Sequence, residues 1–97
     1  MSDDTFSTVF MNDGEIKRIY KAARRDDADL LPSDADALQD AINALEDAFG
    51  GDGSISLRQS EIKQVYQAAK RNPADLLPSD EADYQSGLET LKDAYQN

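Results

Sequence analysis

The stretch EIKRIYKAARRDDADLLPSDADALQDAINALEDAF, residues 15–49, returns as EIKQVYQAAKRNPADLLPSDEADYQSGLETLKDAY, residues 61–95. The offset is a constant 46 residues without gaps, and 18 of the 35 aligned positions are identical. A tandem repeat of this kind predicts one supersecondary unit per half, with each unit covering the apolar face of the other. We therefore expect repeats over 8–49 and 54–95 inside a single domain that spans 1–97.

Each half contains two segments whose apolar residues recur with the spacing of one helix face. The first segment carries Ile16, Ile19, Tyr20 and Ala23 in one half, and Ile62, Val65, Tyr66 and Ala69 in the other. The second carries Leu38, Ala41, Ile42, Leu45, Ala48 and Phe49, or Tyr84, Gly87, Leu88, Leu91, Ala94 and Tyr95. The sequence therefore predicts two helical hairpins that share one core.

A short segment of alternating apolar and polar residues precedes each hairpin. Val9 and Met11 align with Ile55 and Leu57, and this period of two predicts two strands that pair antiparallel with these side chains inward. The predicted fold is mainly α: two tandem (β)-α-α repeats of about 46 residues form a pseudo-twofold four-helix domain with a short two-stranded antiparallel ribbon. Residues 1–6 are expected to be disordered.

The segment 28–34 is the best preserved part of the repeat, because it returns unchanged as 74–80. A packing interpretation places Leu30 and Leu31 over the open end of the hairpin core, with Ser33 as the N-cap of the second helix. The alternative is that this duplicated turn is exposed and forms a recognition surface.

Composition removes several classes of function. The chain has no cysteine and no histidine, which excludes disulfides, zinc sites of the usual kind, thiol nucleophiles and imidazole catalysis. We find no phosphate-binding loop and no serine paired with a base, so we expect no enzyme activity and no cofactor. No apolar run reaches the length of a membrane span, and the acidic start Met1-Ser2-Asp3-Asp4 is unlike a signal peptide. These features favour the cytoplasm.

The charge balance is strongly acidic. The net charge is −10, from 20 acidic and 10 basic residues, and 15 of the acids are aspartate. This balance disfavours phosphate binding, so we expect no direct nucleic-acid partner. An aspartate-rich, base-poor composition resembles the small acidic proteins of haloarchaea, which keep molar salt inside the cell. The resemblance covers the whole chain and implies a salt-adapted surface.

Basic residues are nevertheless concentrated on the first predicted helix. They are Lys17, Arg18, Lys21, Arg24 and Arg25, and we place them on one side, away from the apolar face. The second predicted helix, by contrast, holds five acids and no base. The bases either form a solvated face with weak exposed ion pairs to neighbouring helices, or dock an acidic partner.

Two aromatic residues have no counterpart in the second half. Phe6 aligns with Asp52, and Phe10 aligns with Ser56, so the duplicated fold does not require them. If the strand prediction is right, Phe10 points opposite to Val9, onto the outer face of the ribbon. Both phenylalanines are candidate contacts for a partner protein or a second copy of the chain.

These features predict a small non-enzymatic protein-interaction module with an acidic, salt-adapted surface. One alternative is a nucleic-acid mimic, in which carboxylates of the second helices imitate phosphates and block a DNA-binding protein. The other alternative is a degenerate EF-hand-like calcium-binding pair. Residues 51–56 (GDGSIS) resemble the second half of an EF-hand calcium loop, and residues 13–16 (DGEI) of the first half resemble the 51–56 segment. Ala48 and Gly50 then occupy ligand positions, and Gln59 replaces the bidentate glutamate.

Overall fold

The structure is a computed structural model that describes residues 6–26, 29–72 and 77–96. In chain order its elements are β1 (Phe6–Phe10), α1 (Asp13–Arg24), α2 (Pro32–Ala48), β2 (Ser54–Arg58), α3 (Gln59–Arg71) and α4 (Pro78–Gln96). The described part of the chain is therefore mainly helical, with four helices and one two-stranded sheet, as the sequence predicts. None of these helices combines the length and the hydropathy that a bilayer span needs.

The two strands pair antiparallel, which confirms the predicted ribbon. Val9 lies opposite Ile55, and Ser7 lies opposite Leu57. The four side chains predicted to point inward, Val9, Met11, Ile55 and Leu57, are all buried. Phe6, which we expected in a disordered segment, is the first residue of β1, while residues 1–5 lie outside the described residues.

The core lies between this ribbon and the helices. Its fully buried large side chains come from both halves: Val9, Ile16, Ile19, Leu45, Leu57, Ile62, Val65 and Leu91. Helix α1 packs against α4 and α3 as well as α2, and α2 packs against α3. Each hairpin therefore covers apolar surface of the other, and neither has a separate core.

Reciprocal hydrogen bonds at the start of α1 fix the chain between ribbon and helix. The Glu15 amide donates to Asn12 Oδ1 at 2.8 Å, and the Asn12 amide donates to Glu15 Oε1 at 2.9 Å. These two bonds form a capping box with Asn12 as the N-cap of α1. At the start of α3 Arg58 is the N-cap, and its amide donates to Glu61 Oε1 at 2.8 Å.

The repeated turn does not close the core as the packing interpretation requires. Leu31 is 69% exposed, whereas Leu30 is half-buried against the core. Ser33 is not the N-cap of α2, because Pro32 occupies the first helical turn and Leu31 takes the cap position in an extended conformation. Proline suits the first turn, and it restricts the preceding residue to extended geometry, which turns Leu31 outward. In the second copy Leu77 is also 69% exposed, and residues 74–76 lie outside the described residues.

The last aromatic residue of each predicted hairpin is also more exposed than expected. Phe49 is 53% exposed and Tyr95 is 42% exposed, although both complete the apolar stripe of their helices. Phe49 is the C-cap of α2, and its backbone is extended and no longer helical. Its side chain is therefore not held on the buried face of the helix.

Candidate interaction surfaces

The outer face of the ribbon carries two exposed aromatic side chains. Phe6 and Phe10 are 66% and 69% exposed, and Thr8 lies between them on the same face. This confirms the predicted outward direction of Phe10. We call this surface the ribbon face, which consists of Phe6, Thr8, Phe10, Ser54, Ser56 and Arg58.

Two of the five bases predicted as contact residues, Arg18 and Arg25, already contact neighbouring helices. Arg18 is mostly buried, and its Nη1 lies 3.7 Å from Asp80 Oδ2 of α4. Arg25 donates from Nη2 to the Asn72 carbonyl at 3.0 Å, at the end of α3. At 100° per residue all five bases fall within an arc of about 120°, away from the apolar face, with Arg18 and Arg25 at one edge and Lys17, Lys21 and Arg24 toward the other.

Arg24 contacts the ring of Tyr20. The guanidinium carbon lies 5.3 Å from the ring centroid, and Nη1 donates to the Tyr20 hydroxyl at 3.3 Å. The same hydroxyl donates to Glu46 Oε2 of α2 at 3.1 Å. These contacts fix the position of the Tyr20 ring between α1 and α2. The Arg24 guanidinium therefore lies beside a hydroxyl and not beside a carboxylate.

A groove between α1 and α2 lies next to this tyrosine. We call it the α1–α2 groove; it has a volume of about 270 Å³ and is lined by Ile16, Lys17, Tyr20, Lys21, Leu45, Glu46 and Phe49. Ile16 and Leu45 are buried core residues and form its floor. The exposed Phe49 ring and the Tyr20 ring complete an apolar lining, so the groove suits an apolar group.

Two lysines stand at the α1 rim of this groove. Lys17 and Lys21 are exposed, and the ammonium group of neither forms an ion pair or a hydrogen bond with another described residue. Glu46 stands at the α2 rim, with its carboxylate next to the Tyr20 hydroxyl. The rim is therefore cationic on one side and anionic on the other.

The acidic residues near the predicted calcium loop stabilise turns. Asp52 Oδ1 accepts from the Ser54 amide at 3.0 Å and from the Ser54 hydroxyl at 2.8 Å, and these bonds hold the Asp52 pKa below its ordinary value. Asp13 Oδ1 accepts from the Gly50 amide at 3.1 Å. Within 6–26, 29–72 and 77–96, no group of three or more acidic, histidine or cysteine residues is arranged to hold a metal ion.

Carboxylates of α2, one of the two helices invoked for nucleic-acid mimicry, are largely exposed. Asp36, Asp40, Glu46 and Asp47 face solvent. Asp40 Oδ2 lies 3.1 Å from Arg58 Nη2, and this guanidinium also contacts Glu61. A base from β2 therefore interrupts the row of negative charge along this helix.

Sequence patterning brings only part of these surfaces to notice. The two lysines were among the predicted contact residues, but Phe49 was assigned to the core. Its position directly before Gly50 and Gly51 is a signal for exposure, because a helix that stops there releases its last side chain.

Comparisons with protein-family models, with curated proteins and with solved structures give no match to this chain. Function is therefore inferred from the residues of the ribbon face, the α1–α2 groove and the charged helices alone.

Proposed function

We propose that the chain is a small non-enzymatic protein-interaction module with an acidic, salt-adapted surface, which acts in the cytoplasm without a cofactor. The observation that carries this proposal is the pair Phe6 and Phe10, about two-thirds exposed on one face of a two-stranded ribbon. The other half has Asp52 and Ser56 at the aligned positions. The aromatic pair is therefore an addition to the repeated pattern.

The size of the exposed aromatic surface supports a binding role. Full burial of a phenylalanine side chain contributes about 1.5–3 kcal/mol. Because Phe6 and Phe10 are about two-thirds exposed, their burial under a partner would contribute roughly 1–2 kcal/mol each. Aromatic residues, including phenylalanine, are enriched at protein interfaces relative to the rest of the surface.

We further propose that the two halves arose by duplication and are related by a pseudo-twofold axis. The starts of α1 and α3, at residues 13 and 59, differ by the 46 residues of the sequence offset, and so do those of α2 and α4, at 32 and 78. The antiparallel pairing of β1 with β2 is what a twofold axis through the ribbon requires.

Salt adaptation is supported by the excess of unmatched carboxylates. The chain has twice as many acids as bases, and Arg18, Arg58 and Arg71 already pair with acids of this chain. The remaining carboxylates repel one another at low salt, and dissolved cations screen that repulsion.

The interaction proposal is tested by affinity capture from an extract of the cells that make the protein, with the captured protein identified by mass spectrometry. The test variant is F6S/F10S, and the matched control is Y95S, which removes an exposed aromatic residue of α4 that is not part of the ribbon face. Capture that is lost with F6S/F10S and retained with Y95S is the expected result. Circular dichroism checks that both variants fold.

Two other results of the same capture experiment would contradict the proposal. Equal capture by the wild type and F6S/F10S would show that the ribbon face does not bind the partner. A captured DNA-binding protein would instead support nucleic-acid mimicry if F6S/F10S did not reduce its capture and duplex DNA displaced it.

A further inference from the structure

We propose that the α1–α2 groove binds an acidic segment of a partner protein, which inserts one large apolar side chain and places its carboxylates beside Lys17 and Lys21. This inference rests on the proposed interaction function and adds the chemistry of the partner. It concerns a surface separate from the ribbon face, so the two are tested independently.

The dimensions of the groove set the size of the inserted group. Its volume of about 270 Å³ lies just below the range of roughly 300–1,000 Å³ that holds drug-sized ligands and cofactors. The floor formed by Ile16 and Leu45 is apolar and buried, and the exposed ring of Phe49 forms a wall. A single leucine or phenylalanine side chain fits this space, while the rest of the partner segment stays outside.

The charge at the α1 rim sets the chemistry of the flanking residues. Lys17 and Lys21 lie four residues apart on one face of α1, and within the described residues neither has an ionic partner. In a chain of net charge −10, two adjacent unpaired ammonium groups form a local site for anions. The aligned positions of the other half hold Lys63 and Gln67, so the lysine pair belongs to the first half alone.

Glu46 gives the groove a direction. It stands at the α2 rim, and its carboxylate is held by the Tyr20 hydroxyl at 3.1 Å. A partner carboxylate is repelled there and attracted at the opposite rim. The partner segment therefore carries its acids on one side of the apolar residue only, and that side lies over α1.

The test is a titration of the ¹⁵N-labelled protein with synthetic ten-residue peptides, followed by NMR. Two peptides carry a central leucine with three aspartates either before it or after it. One control replaces the aspartates by lysines, and another replaces the leucine by serine. Titrations are run at the lowest KCl concentration at which the protein is folded. One acidic leucine peptide is expected to shift the amide signals of Lys17, Tyr20, Lys21 and Phe49, and to bind more tightly than the other peptides.

Matched variants of the protein locate the binding energy. K17Q/K21Q is expected to lower the affinity for the acidic leucine peptide about three- to tenfold, because each exposed charge pair contributes modestly to binding. K63Q removes an exposed lysine at the position aligned with Lys17 and is expected to leave the affinity unchanged. The difference between wild type and K17Q/K21Q is expected to shrink as KCl rises, because salt screens exposed charges.

Three results would overturn the inference: no shift at millimolar peptide, equal binding of the lysine peptide, or shifts confined to the ribbon face. Shifts at the groove that depend on protein concentration without peptide would also overturn it, because the occupant would then be a second copy of the chain. If the peptides fail while capture remains dependent on Phe6 and Phe10, the groove inference falls and the interaction function stands.

Discussion

Gly87 of α4 packs so closely against Ile19 of α1 that a Cβ on Gly87 would lie 2.7 Å from Ile19 Cγ1 and 3.1 Å from Cδ1. The aligned positions of the other half hold Ala41 and Val65. Each pair has four side-chain carbons in total. Gly87 has none and Ile19 has four, whereas Ala41 has one and Val65 has three. The two halves therefore meet the same packing requirement with different residues, which cores tolerate when total volume is kept.

Replacement of Gly87 by alanine is expected to destabilise the protein. Overpacking against the stiff, β-branched Ile19 outweighs the gain in helix propensity, so we expect a net loss of roughly 1–2 kcal/mol in the free energy of unfolding. The double variant I19V/G87A restores the division of volume seen at 41 and 65 and is expected to regain part of this loss. Urea denaturation of the two single variants and the double variant measures the coupling. Additive effects would show that the two residues do not compete for space.

Tyr84 of α4 donates from its hydroxyl to the Ala69 carbonyl at 2.6 Å. Residue 73, whose amide would reach this carbonyl in a continued helix, is a proline and has no N–H to donate. Tyr84→Phe is therefore expected to reduce the free energy of unfolding by about 0.5–1.5 kcal/mol. Tyr95→Phe, at an exposed position, serves as the control and is expected to change little.

Tyr84 also gives the stability a dependence on alkaline pH. Burial, with a smaller contribution from Glu81, raises the pKa of Tyr84 above its ordinary value of 10.0. The folded state holds this proton more tightly than the unfolded state, so the contribution is complete below pH 10 and is lost as pH rises through the folded pKa. Wild type is expected to lose more stability than Tyr84→Phe between about pH 8 and pH 11, measured by urea midpoints. An equal loss in both proteins would contradict this assignment.

Sequence periodicity predicts the parts of the fold in which burial selects side chains. The helical spacing of Ile16, Ile19 and Ala23 and the alternation at Val9 and Met11 predict core residues that the structure buries, whereas Tyr20 of the same predicted face is only half-buried. Periodicity does not show which helix faces which. The ion pair between Arg18 and Asp80 follows from the packing of α1 against α4, so it could not be predicted from spacing along α1.

Exact repetition was a misleading signal at Leu31. Its identity in both halves suggested a core residue, whereas Pro32 at the helix start turns it outward. Leu31→Ser and Leu77→Ser are therefore expected to change the free energy of unfolding by less than about 0.5 kcal/mol. Leu45→Ala, at a fully buried position, is expected to cost about 2–5 kcal/mol. Urea denaturation measures the free energy of unfolding of each variant. A large loss for Leu31→Ser or Leu77→Ser would contradict the exposed position of these residues and indicate that they pack in the core.

Salt adaptation predicts a stability that rises with ionic strength. Because 20 acids face 10 bases, screening of their mutual repulsion is expected to raise the melting temperature steadily from about 0.1 M to 3 M KCl. Far-UV circular dichroism with a thermal melt at each concentration provides the measurement. A melting temperature that is constant over this range would remove the reason for treating the acidity as an adaptation to salt.

The pairing of residues 6–10 with 54–58 has a consequence for synthesis on the ribosome. The first strand emerges long before its partner, and the segments of α1 and α2 have been synthesised before the helices α3 and α4 that cover their apolar faces. A domain closed by such distant contacts folds late, because chain entropy must be lost before the contacts form. The nascent first half therefore exposes apolar surface until the second half has been synthesised. The net negative charge of the chain then opposes association between neighbouring nascent chains.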